Sequence, residues 1–327
     1  MVYRFNFYPY SRPFKQPLKT HHGIWEKREG IIIQLADERG KNGWGEIAPL
    51  SWFGSETLQE ALEFCRKLPQ TLTLEDILEI PDNFPACQFG FESAVTYPKT
   101  RFLKETGFLS QGFETGFLRE LKFSGLLPSG KAALQVFQTL FQQGFRTFKW
   151  KIAVYPISDE LDMFKQLTKL ILETIISETD KTEWVNLRLD ANGGLSWEEA
   201  NKWLSVCDEI KSDILKIEYL EQPLSVEQFA EMLALSQQYF TSIALDESVA
   251  TLSQIRDCYQ RGWRGIFVIK PCIVGSPRKL RKLCRENHID AVFSSVFETA
   301  VGRRAALNLA SELSHPKRAV GFGVEHW

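Results

Sequence analysis

From about Leu121 onward the chain alternates short β-branched runs with longer amphipathic ones, and this alternation limits the fold more than any other feature. Leu121–Leu127 reads as a strand, Ala132–Gln143 as a helix ended by Gly144, and Thr147–Ile152 as a strand. Asp159–Ser177 sets Leu161, Phe164, Leu167, Ile171 and Ile175 along one helical face. Val185–Leu189 is again a strand, after which Ser196 opens a helix through a capping box. Further strands are predicted at Lys216–Leu220, Ser242–Leu245, Gly265–Ile269, Ala291–Ser294 and Ala319–Phe322, with helices between them. Strands of this kind, roughly 25 to 35 residues apart and each followed by a helix except the last, are βα units that close into a barrel. An open doubly wound sheet would alternate in the same way. However, no G-x-G-x-x-G follows the first strand, which disfavours its dinucleotide-binding form. Only Gly-Val-Glu-His-Trp follows the last strand, so no eighth helix fits, and the barrel is expected to lean there on what precedes it.

The first part of the chain reads differently. Val2–Tyr10, Gly30–Leu35 and Gly43–Ile47 read as strands, and Glu56–Leu68 and Phe84–Val95 as helices. Strands followed by helices point to a small α+β domain. The expected plan is an α/β chain. Residues 1–97 form an α+β capping domain helped by the tail, 98–120 a connecting loop, 121–322 a modified (β/α)7β TIM-type barrel, and 323–327 a tail.

Composition narrows the partners. With 327 residues, 44% hydrophobic and 24% charged, the chain has the balance of a globular protein. A net charge of -2 disfavours a nucleic-acid partner. The six cysteines contain no C-x-x-C pair and are expected to be free thiols in a reducing compartment. Neither a signal-peptide pattern nor a membrane-length apolar run occurs, so a cytoplasmic protein without a membrane partner is expected, as a monomer or homo-oligomer.

In a βα barrel the C-terminal strand ends converge on one mouth. Here five consecutive predicted strands end in charge: Lys149-Trp150-Lys151, Asp190, Glu221, Asp246 and Lys270. Three acids on adjacent strands form an all-oxygen set suited to Mg²⁺, and no His or Cys joins them to favour zinc. Without a cation the crowded carboxylates would repel, and at least one would tend to stay protonated. Lys149 and Lys151 are two apart, so both face the barrel interior while Trp150 faces the helices. A neighbouring ammonium and a divalent ion disfavour the charged form of such a lysine and prepare it as a base. Lys270 approaches from the other side. Lysines on opposite faces of a metal-bound carboxylate are what proton abstraction α to that carboxylate requires. A salt bridge to the acids is the simpler reading of the paired lysines, and for Lys149 it is compatible with catalysis. None of His21, His22, His288, His315 and His326 occupies a strand end.

Lys149-Trp150-Lys151, Leu189-Asp190-Ala191-Asn192, Glu221-Gln222-Pro223, Leu245-Asp246-Glu247-Ser248 and Ile269-Lys270-Pro271 together resemble the enolase superfamily in its muconate-lactonizing-type branch. The likeness extends through Thr20–Gly30, Gly45–Leu50, Trp52–Thr57 and Ser294–Glu298 to the o-succinylbenzoate synthase family. The resemblance implies loss of water from 2-succinyl-6-hydroxy-2,4-cyclohexadiene-1-carboxylate, in menaquinone or phylloquinone synthesis. It implies Lys151 as base and then acid, Lys270 opposite, Lys149 in support, and a small-molecule carboxylate as partner. The implied cofactor is Mg²⁺ on Asp190, Glu221 and Asp246, with Mn²⁺ as a substitute. The substrate pocket is expected among Thr20, Gly23, Trp25, Phe53, Asn192, Ser294, Ser295, Glu298, Gly321 and Gly323. Cap loops around Gly23 and Gly54 would close over the mouth, although Trp25, Trp52 and Phe53 could equally belong to the cap's own core. Gly321 and Gly323 could offer backbone N–H groups to a substrate carboxylate, or merely make a turn. N-acyl amino acid racemases and dipeptide epimerases share the barrel residues. The Asp-x-Asp that dipeptide epimerases usually carry near the end of strand eight is missing from Gly321-Phe322-Gly323-Val324-Glu325. A catalytically retired barrel would be free to lose one charged strand end, and none is lost.

Overall fold

The computed structural model describes residues 1–20, 23–96, 121–178 and 184–323. The expected connecting loop, His21, His22, the Thr20 side chain and residues 324–327 lie outside the described residues.

The first layer is an antiparallel sheet in the order β3-β2-β1-β4, built from β1 (Val2–Thr20), β2 (Gly23–Asp37), β3 (Asn42–Ile47) and β4 (Thr71–Thr73). Phe5, Ile31, Ile33, Leu35 and Ile47 are buried against its helices, α1 (Leu58–Lys67), α2 (Leu74–Leu78) and α3 (Pro85–Thr96). The first two strands run far beyond their expected ends. Pro13 and Pro17 lie within β1, and β4 covers β1 only at Val2–Arg4. Beyond that point β1 is an edge, where proline's missing N–H costs nothing. Gly23 and Trp25 are therefore strand residues at the tip of a long hairpin rather than parts of a loop. The short β4 and α2 carried no readable pattern. Glu56, expected in the first helix, instead accepts from the N–H groups of Ala86 (3.0 Å) and Cys87 (2.8 Å) at the start of α3, and Thr57 caps α1.

The second layer begins with β5 (Ser124–Leu127), α4 (Ala132–Gln142), β6 (Thr147–Lys151) and α5 (Ile157–Glu178). It continues with β7 (Val185–Asp190), α6 (Trp197–Asp208), β8 (Leu215–Glu221) and α7 (Phe229–Gln238). The last elements are β9 (Ile243–Leu245), α8 (Leu252–Gln260), β10 (Ile266–Ile269), α9 (Pro271–Val274), α10 (Pro277–Asn287), β11 (Ala291–Phe293) and α11 (Ala300–Leu313). Strands β5 to β11 form one parallel sheet in chain order. Residues 319–322 close it as a barrel, though as isolated bridges rather than as the continuous eighth strand expected: Val320 pairs with Phe123 and Gly321 with Ser294. The Ala319 carbonyl accepts from Arg188 inside the barrel (2.8 Å). Arg188 in turn grips Glu218 at 2.7 Å, at the register shift between β7 and β8.

Alternation assigns the faces. Trp150 is buried among Phe164 of α5 and Trp203 of α6, as expected of an outward residue. Tyr219, Ala244, Ile266, Val268 and Val292 form a separate cluster that fills the barrel interior. The two layers are joined by buried carboxylates. Glu46 of β3 accepts from the Thr299 N–H (2.9 Å), the Thr299 hydroxyl and the Gly302 N–H (2.8 Å) at the start of α11. Glu92 of α3 accepts from the Ser276 hydroxyl and the Arg278 N–H (3.0 Å) at the start of α10. All six cysteines are buried and free. Among the described residues no helix is long and apolar enough to cross a membrane.

Candidate active site

Four of the five residues of the interior cluster are followed, two positions on, by a residue of the mouth. Tyr219 leads to Glu221, Ala244 to Asp246, Val268 to Lys270 and Val292 to Ser294. Arg188 leads likewise to Asp190, and Lys149 to Lys151. The parallel register sets Lys151 beside Asp190 and Asp190 beside Glu221. Gln222, buried in a left-handed turn, then fixes the next strand end. Its Oε1 accepts from the N–H groups of Asp246 (3.0 Å) and Ser248 (3.2 Å), and its amide donates to the Ser248 hydroxyl (2.8 Å).

The mouth lysines differ in their surroundings. Lys149 Nζ lies 2.8 Å from Asp190 Oδ2 and 2.7 Å from Glu221 Oε1. Burial alone would lower this ammonium's pKa, but Asp190, Glu221 and Asp246 outweigh burial and hold it well above the ordinary lysine value. Lys270 pairs with Asp246, and the Phe53 ring covers its ammonium at 3.9 Å from the centroid. Lys151, at the end of β6, has no ion-pair or hydrogen-bond partner among the described residues.

Among the described residues no three acidic, His or Cys side chains converge tightly enough to hold an ion as they stand, and lysine ammonium groups lie among the acids. The donor set nonetheless fits a hard divalent cation. It is all oxygen, it already accommodates positive charge between Asp190 and Glu221, and Glu221 Oε2 is buried without a hydrogen-bond partner among the described residues. Burial pushes the Glu221 carboxyl up to about 8 despite the pull of Lys149.

The expected pocket residues divide. Asn192 lies beside the acids: its N–H donates to Asp190 Oδ1 (3.1 Å) and its amide to Glu247 Oε1 (3.2 Å). Ser294 stands at the mouth with a buried hydroxyl that has no partner among the described residues. Phe53 lies on Lys270. Trp25 sits edge-on to Phe14 (5.0 Å), Trp52 (5.0 Å) and Phe297 (5.5 Å), an aromatic cluster shared by the hairpin and the turn after β11. Gly23 adopts φ +110 at the hairpin tip, with nothing near where a Cβ would stand.

Ser295 and Glu298 pair within their own turn, where the Ser295 hydroxyl (2.9 Å) and the Val296 N–H (2.8 Å) both donate to Glu298 Oε2, while Glu298 Oε1 is buried without a partner among the described residues. One expectation needs correction. The Gly321 N–H is not available to a substrate, because it donates to the Phe293 carbonyl (2.7 Å). Glycine is required there by close approach, since a Cβ would lie 2.9 Å from that of Ser294. At Gly323 one would lie 2.1 Å from the Ser124 carbonyl oxygen. Residues passed over include Gln222 and Glu247, which lay inside the quoted motifs, and Leu126, the exposed mouth residue paired in register with Lys149.

Comparison with known proteins shows what the chain is similar to. A family model described as "Enolase C-terminal domain-like" matches residues 132–326, and one described as "MenC, N-terminal domain" matches residues 2–97. The o-succinylbenzoate synthase of Thermosynechococcus vestitus is 39% identical over 97% of this chain and 91% of its own length. That of Pasteurella multocida is 28% identical over 95% of this chain and 86% of its own. Among solved structures, o-succinylbenzoate synthase from Thermosynechococcus elongatus BP-1, complexed with Mg in the active site, superposes with a TM-score of 0.83. It is 37% identical, over 98% of this chain and 93% of that one. The L-Ala-D/L-Glu epimerase from Bacillus subtilis, at 19% identity and a TM-score of 0.74 over 98% of this chain and 89% of its own, shares the fold.

Proposed function

The chain belongs to the o-succinylbenzoate synthase family of the enolase superfamily, and we propose that Lys151 is the residue that moves the proton in its reaction. The reaction is the dehydration of 2-succinyl-6-hydroxy-2,4-cyclohexadiene-1-carboxylate to o-succinylbenzoate, a step of menaquinone or phylloquinone synthesis. The observation that supports Lys151 is its isolation. Lys149 and Lys270 are bound to carboxylates, whereas Lys151 ends β6 with its amine unpartnered among the described residues. For Lys149 the surrounding carboxylates hold the ammonium well above the ordinary lysine value, which unsuits it as a base.

The neutral Lys151 amine takes the C1 proton, and the C1–H electrons pass into the carboxylate. They return to expel the C6 hydroxyl, which leaves as water with the same proton, so the amine is regenerated and the ring becomes aromatic. Lys270, across the mouth, faces the growing negative charge. Lys149 offsets part of the charge of Asp190 and Glu221 and supports Lys151 electrostatically. The superfamily works with Mg²⁺, and here Asp190, Glu221 and Asp246 would hold it, with Mn²⁺ accepted by the same oxygens. When bound, the ion supplies positive charge beside the substrate carboxylate. The absence of the Asp-x-Asp after residue 321 speaks against a dipeptide substrate.

The test is an ultraviolet assay of o-succinylbenzoate formation beside a racemisation assay on N-succinyl amino acids. Lys151→Ala is expected to abolish dehydration with the fold intact, and EDTA to abolish it in the wild type. Full turnover by Lys151→Ala would overturn the assignment of the base.

A further inference from the structure

Glu247 follows Asp246 directly, and its backbone is held on both sides, because Gln222 accepts from the N–H groups of Asp246 and Ser248. One carboxylate oxygen, Oε1, accepts from the Asn192 amide at 3.2 Å. Asn192 is itself fixed, in a left-handed conformation with its N–H on Asp190 Oδ1. Glu247 thus closes a chain from β7 to β9 over the end of β8. Its other oxygen, Oε2, is buried and has no hydrogen-bond partner among the described residues. Glu221 Oε2, from a side chain with no exposure at all, is equally bare.

A purely structural role does not explain this arrangement. Holding Asn192 needs one acceptor atom, which a glutamine would supply without burying a charge. A buried carboxylate oxygen left without a donor costs about 1–3 kcal/mol, more when charged. A carboxylate placed next to Asp246 also adds repulsion unless a cation is present. With Lys149 and Lys270 cationic and a divalent ion in place, the four acids Asp190, Glu221, Asp246 and Glu247 bring the mouth to neutrality before substrate enters. Magnesium keeps several of its waters when bound by few carboxylates, and those waters need acceptors.

We propose that Glu247 is a fourth acidic residue of the metal centre, a positioning residue whose free Oε2 accepts a hydrogen bond from the hydration shell of the divalent cation held by Asp190, Glu221 and Asp246. This rests on the three-acid reading of the site. Residues that hold a metal's outer shell typically change affinity by about 10–100-fold when altered.

The test is calorimetric titration of the metal-free full chain with Mg²⁺ alone, without substrate, for wild type, Glu247→Gln and Asp246→Asn. Glu247→Gln keeps an acceptor for Asn192 and removes the charge. It is expected to weaken Mg²⁺ about 10–100-fold at unchanged stoichiometry, while Asp246→Asn loses measurable binding. Glu247→Asp, which keeps the charge on a shorter arm, is expected to fall between wild type and Glu247→Gln, and it carries the test if Glu247→Gln does not fold. Wild-type affinity in both Glu247 variants beside a failed Asp246→Asn would overturn the role of Glu247 alone. Wild-type affinity in Asp246→Asn would overturn the three-acid reading beneath it.

Discussion

Lys149 and Lys151 are the same residue on the same face of one strand, and their surroundings separate them. Sequence parity was enough to place both in the barrel interior. It could not say which would be captured by Asp190 and Glu221, because that depends on how far two side chains reach across neighbouring strands. The difference can be measured. Removing Lys149 leaves two buried carboxylates facing each other, so Lys149→Met is expected to destabilise the metal-free chain by about 3–5 kcal/mol. Denaturant titration should show Mg²⁺ restoring part of this loss, while Lys151→Ala leaves stability nearly unchanged. The acids make a second prediction. Burial raises Glu221 from 4.5 to about 8 and Glu247 from 4.5 to about 7. Both groups hold protons more tightly folded than unfolded, so their stabilisation is full below pH 4.5 and is lost as pH rises through those higher values. In chelator, Glu247→Gln should remove about one proton's worth of that falling slope between pH 4.5 and 7. Parallel stability curves for the two proteins would contradict it. Gly321 marks the limit at this scale, because a glycine required by a neighbour's Cβ looks in sequence like one that frees an N–H.

At the scale of elements, the barrel's alternation was legible because each strand is buried on both faces and each helix on one, which writes two distinct periodicities. The hairpin of β1 and β2 was only half legible. Its outer half carries proline along an open edge, and that composition reads as loop. The closing residues 319–322 read as a strand, although one of their carbonyls is claimed by Arg188 and their pairing reduces to bridges. The turn at Ser51–Phe53 has no periodicity at all, yet it sets the Phe53 ring on Lys270. A cation–π contact of this kind is worth about 0.5–2 kcal/mol. If it orients Lys270 for the reaction, Phe53→Leu should lower kcat by about 2–30-fold with little change in KM, and Phe53→Trp should retain most of it. A rise in KM alone would make Phe53 a wall of the pocket instead.

At the scale of the molecule, the question is whether the antiparallel layer is a moving lid or a fixed partner of the barrel. Two-layer proteins commonly move as separate bodies when their interface is small and polar. Here the interface is fastened by charge at two helix starts. Glu46 satisfies N–H groups that α11 cannot bond within itself, and Glu92 does the same for α10. Neither carboxylate can leave without stranding both itself and those donors in a buried site. The body of the layer is therefore fixed, and any opening of the mouth falls to the hairpin tip and the Ser51–Phe53 turn. Glu46 acts on the site as well, since α11 begins where the turn bearing Phe297 ends, and Phe297 packs on Trp25. Two buried clasps predict one cooperative calorimetric transition for the whole chain. Glu46→Gln should lower stability by about 1.5–3 kcal/mol, the worth of hydrogen bonds to a charged group, and keep a single transition because Glu92 still holds. Replacing Glu46 and Glu92 together should broaden or split it. Two transitions in the wild type would show that the layers are not fastened as the buried carboxylates require.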